Sequence, residues 1–115
     1  PTMMQTTDTC FTVLYRWRLH DGQDQSFVAA WSRVTQLLKR DRGALGSRLH
    51  RGSDGIWYAY AQWPTAEARE KAFALGPVDA QASAAMQSAV AESLPEVARE
   101  VVEDHLSLPP SSSAA

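Results

Sequence analysis

An antiparallel sheet with helices packed on one face is the fold this sequence predicts, and three features predict it. Apolar and polar residues alternate at Cys10–Leu19, Leu45–Arg51 and Ile56–Trp63, the pattern of half-buried strands. Between the first two, Phe27, Ala30, Trp31, Val34, Leu37 and Leu38 recur at helical spacing and form one stripe. Between the last two lies Gly52-Ser53-Asp54-Gly55, residue types that accept turn dihedrals without strain, so those strands form a hairpin. Further helical segments and a last strand complete the order β-α-β-β-α-(α)-β, the split βαβ or ferredoxin-like α+β arrangement.

Each element has its own warrant. In the first strand Phe11, Val13, Tyr15, Trp17 and Leu19 share one face, and Thr12, Leu14, Arg16 and Arg18 the other. His20-Asp21-Gly22 turns the chain into a helix from about Gln23 to Arg42. Lys39, Arg40 and Arg42 in its last turn suit the helix dipole, and Gly43 ends it. After the hairpin, Thr65 is the N-cap of a helix that Gly76-Pro77 stops near Leu75. Asp79 caps a third helix, expected over Ala80–Leu94 and ended by Pro95. The Val97, Val101 and Val102 branching makes Glu96–Leu106 a strand. The single domain spans 10–106, and the compositions of 1–9 and 107–115 mark flexible termini.

At 115 residues the chain supports one modest core, and 44% hydrophobic with 21% charged residues is ordinary for a globular protein. A net charge of −2 gives no footprint for nucleic acid or an anionic membrane. No apolar run approaches the roughly 20 residues that span a bilayer, and no secretory signal pattern opens the chain. With one cysteine, Cys10, the expected location is the cytoplasm. His20, His50 and His105 are scattered and Cys10 has no partner at ligand spacing, so no metal site is expected. No phosphate-binding glycine loop and no G-x-S-x-G elbow occurs.

Opposing Arg51 with Ile56 across the turn sets His50 beside Trp57 and Arg48 beside Ala59, on the face of Ala61 and Trp63. The small Ala59 and Ala61 leave space under a helix, filled either by helix side chains or by a ligand. Trp57 and Trp63 then wall that space, with Tyr15, Trp17 and Trp31 as core or as substrate contacts. His50 is a candidate general base, and Arg48 and Arg69 candidate partners for a phenolate or carboxylate. Their structural alternatives are a rim hydrogen bond for His50 and a salt bridge from Arg69 to Glu67 or Glu70. Arg16 and Arg18 are expected to pair with Glu100 or Asp104. The opposite face, with Leu14, Leu49, Tyr58 and Tyr60, is too apolar to be wet and is expected to be covered by a second subunit.

FTVLYRWRLHDGQ, the helix with FVAAW, the G-x-L-G-S-R-L-H strand and AQWPTAEA together resemble the antibiotic biosynthesis monooxygenase superfamily over about residues 10–106. The resemblance implies a dimeric α+β barrel of ferredoxin-like subunits, a homodimer with a pocket between sheet and helices in each subunit. Some members oxygenate electron-rich phenols or quinols with no cofactor. Members of the quinone-forming branch pair a Trp closing the third strand with an Asn earlier on it, and with Tyr and Arg on the later helices. Trp63 matches that Trp, and His50 matches a His on the second strand of some relatives. The Asn position is Ala59, the Tyr position Arg69, and the Arg position falls near Ser83. The haem-degrading branch needs an Asn on the first strand and a late helical His. This chain has no Asn, carries Tyr15 at the first position, and has no His between Trp63 and His105.

The leading expectation is a cofactor-independent monooxygenase acting on an aromatic, phenolic or polyketide-like small molecule. His50, Trp63 and Arg69 are its candidate catalytic residues; Tyr15, Trp17, Trp31, Arg48 and Trp57 are its candidate substrate contacts. The alternatives are a non-catalytic dimeric module that binds a small apolar ligand or acts as a stress-related accessory, and a cyclase or isomerase on the same fold.

Overall fold

In the computed structural model, which describes residues 10–107, the chain runs β1 (Phe11–Leu19), α1 (Asp24–Arg42), β2 (Gly46–Arg51), β3 (Trp57–Trp63), α2 (Ala66–Ala74), α3 (Ala80–Ala89) and β4 (Val90–Glu100). The strands form one antiparallel sheet in the order β2-β3-β1-β4. This is the ferredoxin-like α+β arrangement, with α1, α2 and α3 on one sheet face. The termini expected to be flexible, 1–9 and 108–115, lie outside the described residues, and Ser107 is exposed in an irregular stretch.

Local chemistry sets the C-terminus of α1 and the N-termini of α2 and α3 as the sequence predicts. Gly43 terminates α1 in the left-handed region, φ 84°, where a side chain would be strained. Thr65 accepts a hydrogen bond from the Ala68 amide at 3.0 Å, and Asp79 accepts one from the Ala82 amide at 3.0 Å. Arg42 donates to the carbonyls of Ala72 (2.6 Å) and Gly76 (2.9 Å), tying the end of α2 back to α1.

The hairpin register departs from expectation by one residue. Arg51 opposes Trp57, not Ile56, so His50 pairs with Tyr58, Leu49 with Ala59 and Arg48 with Tyr60. The turn explains it. Gly52 N–H donates to Ile56 O at 2.7 Å and Asp54 accepts from the Ile56 amide at 2.9 Å, so Ile56 belongs to the loop. Because strand side chains alternate, this slip moves all of β2 to the other face. Leu49 joins the helix side, packed against Phe27 and Trp57, and is not on the outer face with Leu14, Tyr58 and Tyr60. His50 and Arg48 turn to that outer face, away from Trp57 and Trp63.

The second departure is at the C-terminal side. Helix α3 ends at Ala89, and β4 begins at Val90 and stops at Glu100, so Leu94 is strand and 101–107 irregular. Strand β1 needs a hydrogen-bonding partner along its whole length, and that requirement overrides the helical pattern of 90–94. Pro95 fits because β4 is an edge strand and its register shifts between Leu14 and Arg16, where Pro95-Glu96 oppose Tyr15 in a β-bulge. Arg18 pairs with Glu92 at 3.3 Å and Arg16 donates to Pro95 O at 3.0 Å, rather than either meeting Glu100 or Asp104.

The packed part of the interior centres on Phe27, Trp57 and Ala89, with Trp17, Leu19 and Leu49 against them. Phe27 makes edge contacts with Trp17 (centroids 5.1 Å apart) and Trp57 (5.9 Å).

The turn that sets the register gives a direct test. A Cβ on Gly52 would lie 2.4 Å from Asp54 Oδ1 and 2.7 Å from Tyr58 Cε1. Gly52→Ala is expected to lower stability by about 1–3 kcal/mol in urea denaturation. Parental stability in that variant would mean the turn does not hold the register.

Candidate functional site

Where the packed core ends, toward Trp63, the interior opens into a cavity of about 380 Å³ between the sheet and all three helices. Strand β3 creates the space. Its helix-facing residues run Trp57, Ala59, Ala61, Trp63, all buried, so two methyl side chains separate two indoles. Ala61 floors the cavity and Trp63, 2% exposed, closes one side with Phe73 edge-on against it at 5.7 Å. Tyr15 and Trp17 line the β1 wall with their rings stacked, centroids 5.7 Å apart and planes within 7°. Trp31, Val34, Thr35 and Leu38 of α1 and Met86 of α3 supply the roof.

The charged pole is one cluster. Arg69 of α2 donates through Nη2 to Tyr15 Oη at 2.9 Å and to Glu96 Oε2 at 3.0 Å. Its guanidinium carbon lies 4.8 Å from the Phe73 ring centroid and 5.7 Å from that of Tyr15. Arg69 Nε is buried with no hydrogen-bond partner. Burial raises the Tyr15 phenol above its ordinary pKa, and the Arg69 hydrogen bond and charge only partly oppose this, so Tyr15 is a neutral phenol at physiological pH. Arg69 is held charged: burial works against the cation, and its bonds to Tyr15 and Glu96 prevail. An aromatic chamber with a cation at one end suits a planar ligand bearing one oxygen that can carry negative charge.

Of the residues that the sequence singles out, Tyr15, Trp17, Trp31, Trp63 and Arg69 come together in this cavity. Arg69 pairs with Glu96 rather than Glu67 or Glu70. Trp57 does not line the cavity: it is core, 8% exposed, with Phe27 on one side and the Arg51 guanidinium 5.3 Å from its ring centroid. His50 and Arg48 line an open groove of about 700 Å³ on the outer sheet face, with Leu14, Tyr58, Tyr60 and Leu106. The register shift puts them there, and neither can reach a ligand in the interior. Sequence reasoning missed Glu96. Its position after Pro95 in a strand is the one signal for it, since proline in a strand favours a bulge.

No protein-family model matches the sequence, and no curated protein is similar to it in sequence. Solved structures are similar in fold. SnoaB, a cofactor-independent oxygenase from Streptomyces nogalater, superimposes with a TM-score of 0.67 at 20% identity, covering 88% of this chain and 98% of SnoaB. The chain shares its ferredoxin-like α+β fold with solved structures described as antibiotic biosynthesis monooxygenases. A protein of Chloroflexus aurantiacus classed with these monooxygenases matches at TM-score 0.67 and 15% identity, covering 84% of this chain and 96% of that one. Another, from Bordetella bronchiseptica, matches at 0.65 and 18%, covering 85% and 98%. Within this fold the chain places Arg69 on α2, Tyr15 on β1 and Glu96 on the β4 bulge.

The raised Tyr15 pKa makes stability depend on alkaline pH. The folded state holds this proton more tightly than the unfolded chain, so the contribution is present below about pH 10 and lost as pH rises through the folded value. The melting temperature of the parent is expected to fall more steeply above pH 10 than that of Tyr15→Phe. Identical slopes would show that the phenol is not desolvated.

Proposed function

We propose that this chain is a cofactor-independent monooxygenase whose substrate is a phenolic or enolisable aromatic molecule held in the interior cavity. The observation that carries the proposal is the aromatic-walled cavity of about 380 Å³ with a single cation, Arg69, at its rim, 17% exposed. The fold shared with SnoaB, itself a cofactor-independent oxygenase, supports it.

The chemistry follows from that geometry. A bound phenol loses its proton, and the oxygen that becomes anionic is stabilised by the guanidinium. The electron-rich anion passes one electron to dioxygen, and the resulting pair of radicals joins at a ring carbon as a hydroperoxide. Loss of water leaves a carbonyl there. One oxygen atom enters the product and the other leaves as water, and the substrate supplies all four electrons. No external reductant enters. Trp63, Trp17 and Trp31 hold the ring plane, and Tyr15, whose oxygen already accepts from Arg69, presents its own hydrogen to the developing peroxide.

The same reading makes the protein a homodimer through the outer sheet face, where Leu14, Tyr58 and Tyr60 are half-buried and Val97 is 42% exposed. Covering such rings contributes about 1.5–3 kcal/mol each. A cytoplasmic location accords with the single Cys10. No helix among the described residues is long and apolar enough to cross a membrane.

Oxygen uptake on a panel of hydroquinones and hydroxylated polycyclic ketones tests the activity. Arg69→Met is expected to lower kcat/KM by about 10²–10³-fold, and Trp63→Phe to alter the substrate preference while keeping most of the stability. His50→Ala, on the far face, is expected to leave turnover per folded dimer within a few-fold. Absence of oxygen uptake across the panel would end the oxygenase reading and leave a cyclase, an isomerase or a binding module on the same fold. Tyr58→Asp is expected to give a monomer or an aggregate in sedimentation, and a parent that sediments as a monomer would remove the dimer.

A further inference from the structure

We infer that Glu96 is the general base of this site, taking the substrate proton while Arg69 holds the oxygen that becomes anionic. The inference rests on the cavity being the substrate site, as proposed above. Three observations carry it. Among the cavity-lining residues the ionisable groups are Tyr15, Arg69 and Glu96. Tyr15 keeps its proton and Arg69 is a cation, so the carboxylate is the one group able to accept a proton. His50, the base that residue type suggests, sits on the other face of the sheet.

Position then matches role. The Pro95-Glu96 bulge sets Glu96 opposite Tyr15 at the edge of the cavity, where Oε2 accepts from Arg69 at 3.0 Å. The same Nη2 bonds Tyr15 at 2.9 Å, so both of its hydrogens are taken and a substrate oxygen is left the Nη1 donors of the guanidinium that Glu96 also contacts. The Glu96 side chain is 48% exposed against 17% for Arg69, so a proton taken inside can leave to solvent. In water a phenol gives its proton to a carboxylate only against a large unfavourable gap. A cation hydrogen-bonded to the developing oxyanion narrows that gap. In the step, one C–H or O–H bond breaks, its electron pair stays on the substrate and delocalises onto the oxygen facing Arg69, and the proton bonds to Glu96.

Proton abstraction can be read without oxygen. The full chain is incubated anaerobically with 2-tetralone in D₂O, and exchange of the benzylic CH₂ beside the carbonyl is followed by NMR. The parent is expected to accelerate exchange, with a rate that rises as a carboxylate ionises. Glu96→Gln is expected to lower the saturating rate by about 10²–10⁴-fold, with KM within a few-fold, no carboxylate limb in the pH profile and a cooperative thermal melt that shows it folded. Glu96→Asp, which keeps the carboxylate, is expected to recover part of the rate and serves if Glu96→Gln does not fold. Parental exchange in Glu96→Gln, or no exchange above buffer in the parent, would overturn the assignment. Exchange without oxygen uptake on the quinol panel would keep Glu96 as the base and end the oxygenase reading. Oxygen uptake that survives Glu96→Gln would do the reverse.

Discussion

The register of the β2–β3 hairpin is the constraint on which the rest of the molecule depends. Arg51 opposite Trp57 puts Leu49, Ala59, Ala61, Trp57 and Trp63 toward the helices, and His50, Arg48, Tyr58 and Tyr60 away from them. That register is closed by Gly52 and Asp54 around Ile56, with Tyr58 Oη donating to the second Asp54 oxygen at 2.6 Å. Moved by one residue, the strand would bury two basic side chains under α1 and expose Leu49. The cost of burying unpaired charge makes the observed register the stable one.

From this register the interior divides by side-chain size. Trp57 meets Phe27 and fills its end of the space and Ala59 is fully packed, whereas Ala61 leaves room that no helix side chain fills before Trp63. Packing normally closes such a gap, because voids forfeit dispersion contacts. Here the flanking elements are held apart by polar ties. Arg42 anchors the C-terminal end of α2 through Ala72 O and Gly76 O, and Arg33 meets the α3 cap residue Asp79 at 3.2 Å. The helices therefore have fixed seats from which Arg69 and Met86 reach the cavity.

The β4 bulge supplies the polarity. An unbroken ladder would set the residues of β4 strictly alternating against β1. The extra residue at Pro95-Glu96 lets a carboxylate meet Arg69 and Tyr15 on the inner face while Val97 remains outside beside Leu14. A cation, a neutral phenol and a carboxylate thus share one edge of an otherwise aromatic chamber. Such a site favours a neutral aromatic substrate that ionises once bound, since the resident carboxylate already balances the arginine.

The amino-acid sequence by itself determined the element order, the helix caps at Thr65, Asp79 and Gly43, the inner face of β1 and the space at Ala61, though Ala59 is packed. All of these rest on contacts a few residues apart or on the size of a side chain. It also brought out Trp63, Tyr15, Trp17, Trp31 and Arg69, because aromatic rings and an arginine near a strand–helix junction are visible as residue types. Tertiary structure alone decided which face β2 presents, and with it removed His50 and Arg48 from the interior. It moved the start of β4 to Val90 and carried Glu96 to Arg69. Each of these turns on a one-residue offset, and an offset is fixed by backbone hydrogen bonding across the sheet. Strand β1 must satisfy its amides over its full length, and that demand, not the local pattern of residues 90–96, sets the bulge and the site beside it.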